Sequence, residues 1–102
     1  MARFLIELPH SSDGLACKRA IHALLSTGSH YITHADWGCH DGEHKAWLAV
    51  DVDSKDDARH IVPPAFRSEA KITQLSKFSL QEAEDMLRTH PGVPAGAATT
   101  AP

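Results

Sequence analysis

The sequence predicts an α+β domain, a four-stranded antiparallel sheet with its helices on one face. Three observations point there. Short apolar runs of strand length alternate with segments of helical spacing, in the order β-α-β-β-α-β plus one further helix. Capping and turn residues stand at the boundaries between them. The length, 102 residues, suits a single domain.

The first strand is Arg3-Phe4-Leu5-Ile6-Glu7-Leu8, short, apolar and bounded by Pro9. Ser11, Ser12 and Asp13 then offer N-cap oxygens to a helix over 14–27, with Cys17, Ile21, Leu24 and Leu25 on one stripe and Gly28 at its end. Residues 30–37 are rich in aromatic and β-branched side chains and predict a second strand. Asp41-Gly42 predicts a two-residue hairpin turn, because both turn positions need a positive φ. The third strand follows over about 43–52. Ser54 with Asp57 opens a short helix over 55–61, which Pro63-Pro64 stops. Residues 70–78 predict a fourth strand, and Ser79 with Glu82 caps a last helix from Leu80 to about Thr89. Right-handed crossovers give the strand order 4-1-3-2, the ferredoxin-like split βαβ arrangement. From Pro91 onward the chain is mostly Pro, Gly, Ala and Thr, and a disordered tail over 91–102 is expected.

Ten basic and thirteen acidic residues leave a formal charge of −3, which argues against the basic stripe of a nucleic-acid binder. No apolar run approaches the length of a membrane span, and no signal peptide is expected before the first strand. Two cysteines are too few for a disulfide scaffold, so a cytoplasmic setting is the expectation.

Helices on one face leave the other face of the sheet bare. A homodimer stacking sheet on sheet is the natural cover. Strand alternation sends Phe4, Ile6, Leu8, Leu48, Val50 and Val52 to the helices, and Leu5, Glu7, Trp47, Ala49 and Asp51 to the open face. For the second strand, a two-residue loop places Asp36 opposite Trp47 and adds His34 and Asp36 to the open face; a slip of one residue presents Tyr31, Thr33, Ala35 and Trp37 instead. Glu7, on a central strand, then sits either in a polar pocket or in a water-bridged interface. Desolvation there would require it to be paired, metal-bound or protonated. Trp47 offers an aromatic wall, and Trp37 packing or a second wall. Arg67 follows the stiff Val62-Pro63-Pro64 segment and could receive an anionic ligand or pair with a local carboxylate.

Eight histidines are the compositional oddity. Histidine and cysteine suit zinc, nickel and copper. His34, Cys39, His40 and His44 crowd into 11 residues, at a spacing that fits no standard zinc motif. Across the hairpin Cys39 faces His44, so these two can share an ion. His34 is five residues further along its strand, about 16 Å away at about 3.3 Å per residue. Either Cys39 and His44, with His40, form a rim site, or His34 acts in the sheet pocket with Glu7. The remaining residues read as structural. Cys17 falls on the apolar stripe and reads as core. His10, His60 and His90 lie at element ends, solvated or capping, and His22 lies on the helix surface.

Residues 3–7, the hairpin Trp37-Gly38-Cys39-His40-Asp41-Gly42-Glu43-His44, and Val62-Pro63-Pro64 leading into residues 70–78 give the chain a resemblance to the dimeric α/β-barrel superfamily. More narrowly, it is similar to small bacterial proteins related to muconolactone isomerase and to a nickel-binding ferredoxin-like group. The resemblance covers roughly residues 3–88. It implies a cytoplasmic homodimer with its ligand or metal between sheet and partner, or at the sheet rim. It supplies no reaction.

Three functions compete. The first is a metal-binding protein for nickel or zinc, with His34, Cys39 and His44 as donors and Glu7 or Asp36 in support. The second is an isomerase or cofactor-free monooxygenase, with Glu7 or His34 moving a proton and Asp36, Trp47 and Arg67 holding a small organic substrate. The third is a dimerisation or sensing module without ligand.

Overall fold

A computed structural model describes residues 1–89. The tail expected over 91–102, and His90, lie outside the described residues. The chain forms an α+β architecture with a four-stranded antiparallel open sheet, compatible with a ferredoxin-like fold. The strands are β1 (Ala2–Pro9), β2 (Asp36–Trp37), β3 (Lys45–Val52) and β4 (Lys71–Leu75), in the spatial order β2-β3-β1-β4. The helices are α1 (Gly14–Thr27), α2 (Lys55–Ile61) and α3 (Leu80–Arg88). Among the described residues, no helix is long and apolar enough to cross a membrane.

Each helix starts where its side chains can satisfy orphan backbone N–H groups. Asp13 accepts from Ala16 N–H at 3.1 Å, and Ser54 from Asp57 N–H at 3.1 Å. Ser79 and Glu82 complete a reciprocal capping box on α3. Central strand β1 pairs with β3 over its whole length, from Ala2 opposite Val52 to Pro9 opposite Lys45, and with β4 from Arg3 opposite Leu75 to Glu7 opposite Lys71. Even-numbered residues of β1 and β3 point one way. Phe4, Ile6 and Leu8 meet Ala46, Leu48 and Val50 there, with Leu24 of α1, Ala58 and Ile61 of α2, Val62 and Ile72 closing the core. Burying a large aliphatic side chain of this kind contributes about 1.5–3 kcal/mol.

The strand expected over 30–37 is only Asp36–Trp37; residues His30–His34 form a 3₁₀ turn instead. Local hydrogen bonds win over the ladder. Ile32 N–H donates to Ser29 O, Ala35 N–H to Ile32 O, and the Thr33 hydroxyl to His30 O at 2.6 Å. The turn lets Ile32 reach the core, where it is fully buried. The hairpin also differs from a two-residue turn. A 3₁₀ turn spans Cys39–Asp41, and only Gly42 has a positive φ, 81°. The longer loop keeps the register that puts Asp36 opposite Trp47.

The opposite face of the sheet carries Leu5, Glu7, Trp47, Ala49, Asp51, Thr73 and Leu75, exposed or half-buried. Helix α3 buries none of its residues, and its Leu80, Met86 and Leu87 are exposed.

Candidate metal centre

Two imidazoles continue the core register past the end of the sheet. His10 comes two residues after Leu8, and His44 two before Ala46, so both share the helix-facing parity. His10 N–H donates to His44 O at 3.0 Å, extending the β1–β3 ladder by one rung. Their rings meet edge to face with centroids 5.6 Å apart. Above them α1 lowers Cys17, buried in its first turns on the stripe that meets the sheet. From the side, the turn after Gly38 brings Cys39.

The result is a cluster of four donors, His10, Cys17, Cys39 and His44, whose ligand atoms all lie within 4.8 Å of one another. His10 Nε2 stands 3.2 Å from Cys17 Sγ and 3.1 Å from Cys39 Sγ. Both cysteines are free thiols. Nδ1 of His10 and of His44 are buried without a hydrogen-bond partner among the described residues, an unusual state for buried polar atoms. A tetrahedral zinc ion bound at about 2.0–2.3 Å sets its donors roughly 3.3–3.8 Å apart. The cluster needs only small side-chain movements to reach that spacing, and it could hold a metal ion.

The electrostatics also suit an ion. Burial, aided by neighbouring His44, holds His10 below the ordinary histidine value, so the imidazole stays neutral and its lone pair available. Partial burial, with Cys17 beside it, pushes the Cys39 thiol up. The Cys39 thiol therefore resists ionising without a cation, and a bound divalent ion reverses that preference.

The hairpin is shaped to deliver Cys39 and His44. A Cβ on Gly38 would stand 2.7 Å from Glu43 O and 2.7 Å from the Trp47 ring. Only glycine lets the chain pass there. Gly38 also receives hydrogen bonds from Asp41 N–H and Glu43 N–H on its carbonyl, which closes the loop.

Of the residues singled out from sequence, Cys39 and His44 are brought together and His34 is not. His34 ends the 3₁₀ turn, exposed, with its ring edge-on to His30. Glu7 is half-buried on the open face, 3.9 Å from Lys71 Nζ, and β3 lies between β1 and the β2 edge that His34 precedes. Trp47 sits between Glu7 and Asp36 in register on that face. Arg67 pairs with no carboxylate among the described residues. Its guanidinium donates to Val62 O at 2.8 Å and His60 O at 3.4 Å, stapling the proline segment. His40 is exposed beside the cluster without joining it.

The sequence alone marks His10 as an element-end residue and Cys17 as a core residue. The signals were present separately: His10 extends the 4-6-8 parity of β1, and Cys17 lies on the helix stripe that faces the sheet. The donor cluster therefore lies on the helix side at the end of the sheet, not on its open face. No protein-family model matches the chain, and neither a curated protein nor a solved structure matches it.

Proposed function

We propose that this chain is a small metal-binding protein that holds one divalent transition-metal ion through His10, Cys17, Cys39 and His44. The observation that carries the reading is the convergence of four such donors from four separate segments within 4.8 Å. Two thiolates and two imidazoles are the donor set of closed, four-coordinate zinc sites, so zinc is the first choice and nickel its competitor. Four protein donors fill a tetrahedral shell, which favours a binding role over hydrolytic chemistry at an open position. A reducing, cytoplasmic compartment suits the reading, since it keeps both thiols available.

Titration calorimetry on metal-stripped protein, with zinc, nickel, cobalt and copper in turn, tests it. One ion per chain is expected. Cys17→Ser, Cys39→Ser and His44→Ala should each weaken binding at least about 100-fold, since even outer-shell partners are worth about 10–100-fold. His34→Ala should leave affinity unchanged. No heat above dilution with any of the four metals would remove the reading.

The uncovered sheet face supports a second element of the proposal, a homodimer closing over it. Leu5, Trp47, Ala49 and Leu75 there, and Leu80, Met86 and Leu87 of α3, lack full cover among the described residues. Light scattering on the eluting peak distinguishes a dimer of about twice 11.1 kDa from a single chain. A single-chain mass at all concentrations would remove this element and leave the metal reading standing.

A further inference from the structure

The donor cluster is open on one side. Cys17, Cys39 and His44 form part of the wall of a groove of about 640 Å³ between α1 and the β2–β3 connection. His10 is not part of that wall. The apolar part of the rest is Ile21 and Leu25 from α1 with Ala35 and Trp37 from the β2 edge, and the exposed His40 stands beside Cys39 at the rim. Lys18, exposed and next in sequence to Cys17, adds a cation to the wall. Asp36 also borders it, but pairs in register with Trp47, which faces the other side of the sheet. A purely structural ion needs no such space, whereas small organic ligands occupy clefts of about 300–1,000 Å³.

From this juxtaposition we propose that the groove binds a small organic thiol, its apolar body against Ile21, Leu25 and Trp37 and its sulfur on the ion held by the donor cluster. The inference rests on the metal reading above. An ion already held by two thiolates is best served by another soft donor, so a thiol is preferred over a carboxylate. A divalent ion with two thiolates and two neutral imidazoles has no net charge. A third thiolate brings one negative charge, and Lys18 stands where it can offset it. In the exchange, the incoming sulfur–metal bond forms and the metal–nitrogen bond to His44 breaks, because His44 is the imidazole donor on the groove wall. The thiol proton leaves to solvent and the freed imidazole stays neutral, so charge and atoms balance without an oxidant and the third thiolate's negative charge is the one that Lys18 faces.

The test uses the full chain loaded with cobalt(II), titrated with benzenethiol and followed by the sulfur-to-cobalt charge-transfer absorption. Absorbance per bound cobalt should rise about 1.5-fold as the thiolate count goes from two to three, saturating at one thiol per protein with cobalt retained on desalting. Leu25→Trp fills the groove from a position 46% exposed. It should load cobalt as the parent does and lose the benzenethiol response. Lys18→Glu, a surface change that fills nothing, should load cobalt normally and weaken benzenethiol uptake at least about fivefold by reversing the local charge, and it decides the matter should Leu25→Trp not fold. An unchanged spectrum, loss of cobalt to the thiol, or an undiminished response in the variants would overturn the proposal. Failure to load cobalt at all is seen before thiol is added, and strikes the metal reading itself.

Discussion

His10 and His44 are joined twice, by a backbone hydrogen bond of 3.0 Å and by an edge-to-face contact of their rings. One rung of sheet beyond the core thus fixes two imidazoles side by side before any ion arrives. Metal binding should therefore stabilise a scaffold already folded, rather than create it.

Zinc should raise the melting temperature strongly. At free zinc about 1,000 times the dissociation constant, mass action adds about 4 kcal/mol. At about 4–8 °C per kcal/mol for a domain of this size, the shift is about 15–30 °C. Calorimetry with zinc and then with a chelator measures it, and Cys17→Ser, which weakens binding at least about 100-fold, should cut the difference to about a third or less while the chelated protein still melts cooperatively.

Metal-free protein should lose stability at both ends of the pH scale. His10 has a lowered value when folded, so below about 6.5 the unfolded chain takes up more protons and stability falls with acidification. Cys39 has a raised value when folded, so above about 8.5 the unfolded chain releases its proton first and stability falls with alkali. Urea midpoints from pH 5 to 10 should show both limbs. His10→Gln should flatten the acid one and Cys39→Ser the alkaline one; identical profiles in both variants would contradict this assignment.

The two hairpin glycines should differ. Gly42→Ala forces a side chain into φ 81° with open space around it, at a cost of about 1–2 kcal/mol. Gly38→Ala must displace Glu43 or the Trp47 ring, at a cost of about 1–3 kcal/mol. Because that displacement moves the segment between Cys39 and His44, Gly38→Ala should also weaken zinc binding more than Gly42→Ala. Paired denaturation and zinc titrations give the comparison.

Core and α3 should respond on different scales. Ile6→Ala removes a fully buried side chain and should cost about 2–5 kcal/mol of global stability. Ser79→Ala removes the α3 cap, worth about 1 kcal/mol to the helix. Since α3 buries nothing, amide exchange should speed up within residues 80–88 while the global midpoint of the single chain stays put.

Much of the architecture was legible because it rests on local rules. Asp13, Ser54 and Ser79 announce their helices, and the alternation in β1 and β3 sorts core from open face. Residues 30–34 misled because their β-branched content serves an exposed turn anchored by the buried Ile32 as well as it serves a strand. Half of the donor cluster was legible, Cys39 and His44, through the hairpin that joins them. His10 and Cys17 were hidden because each satisfies an ordinary local reading; only the packing of α1 on β1 brings them together. Arg67 gave no warning that backbone carbonyls would occupy its guanidinium.

The shared parity of His10 and His44 with the core has one more consequence. Sliding β1 past β3 by a single residue would send one imidazole to the far side of the sheet, out of reach of the thiols. An ion that demands all four donors would thus act as a proofreader of strand alignment, retained by correctly paired molecules and released by slipped ones.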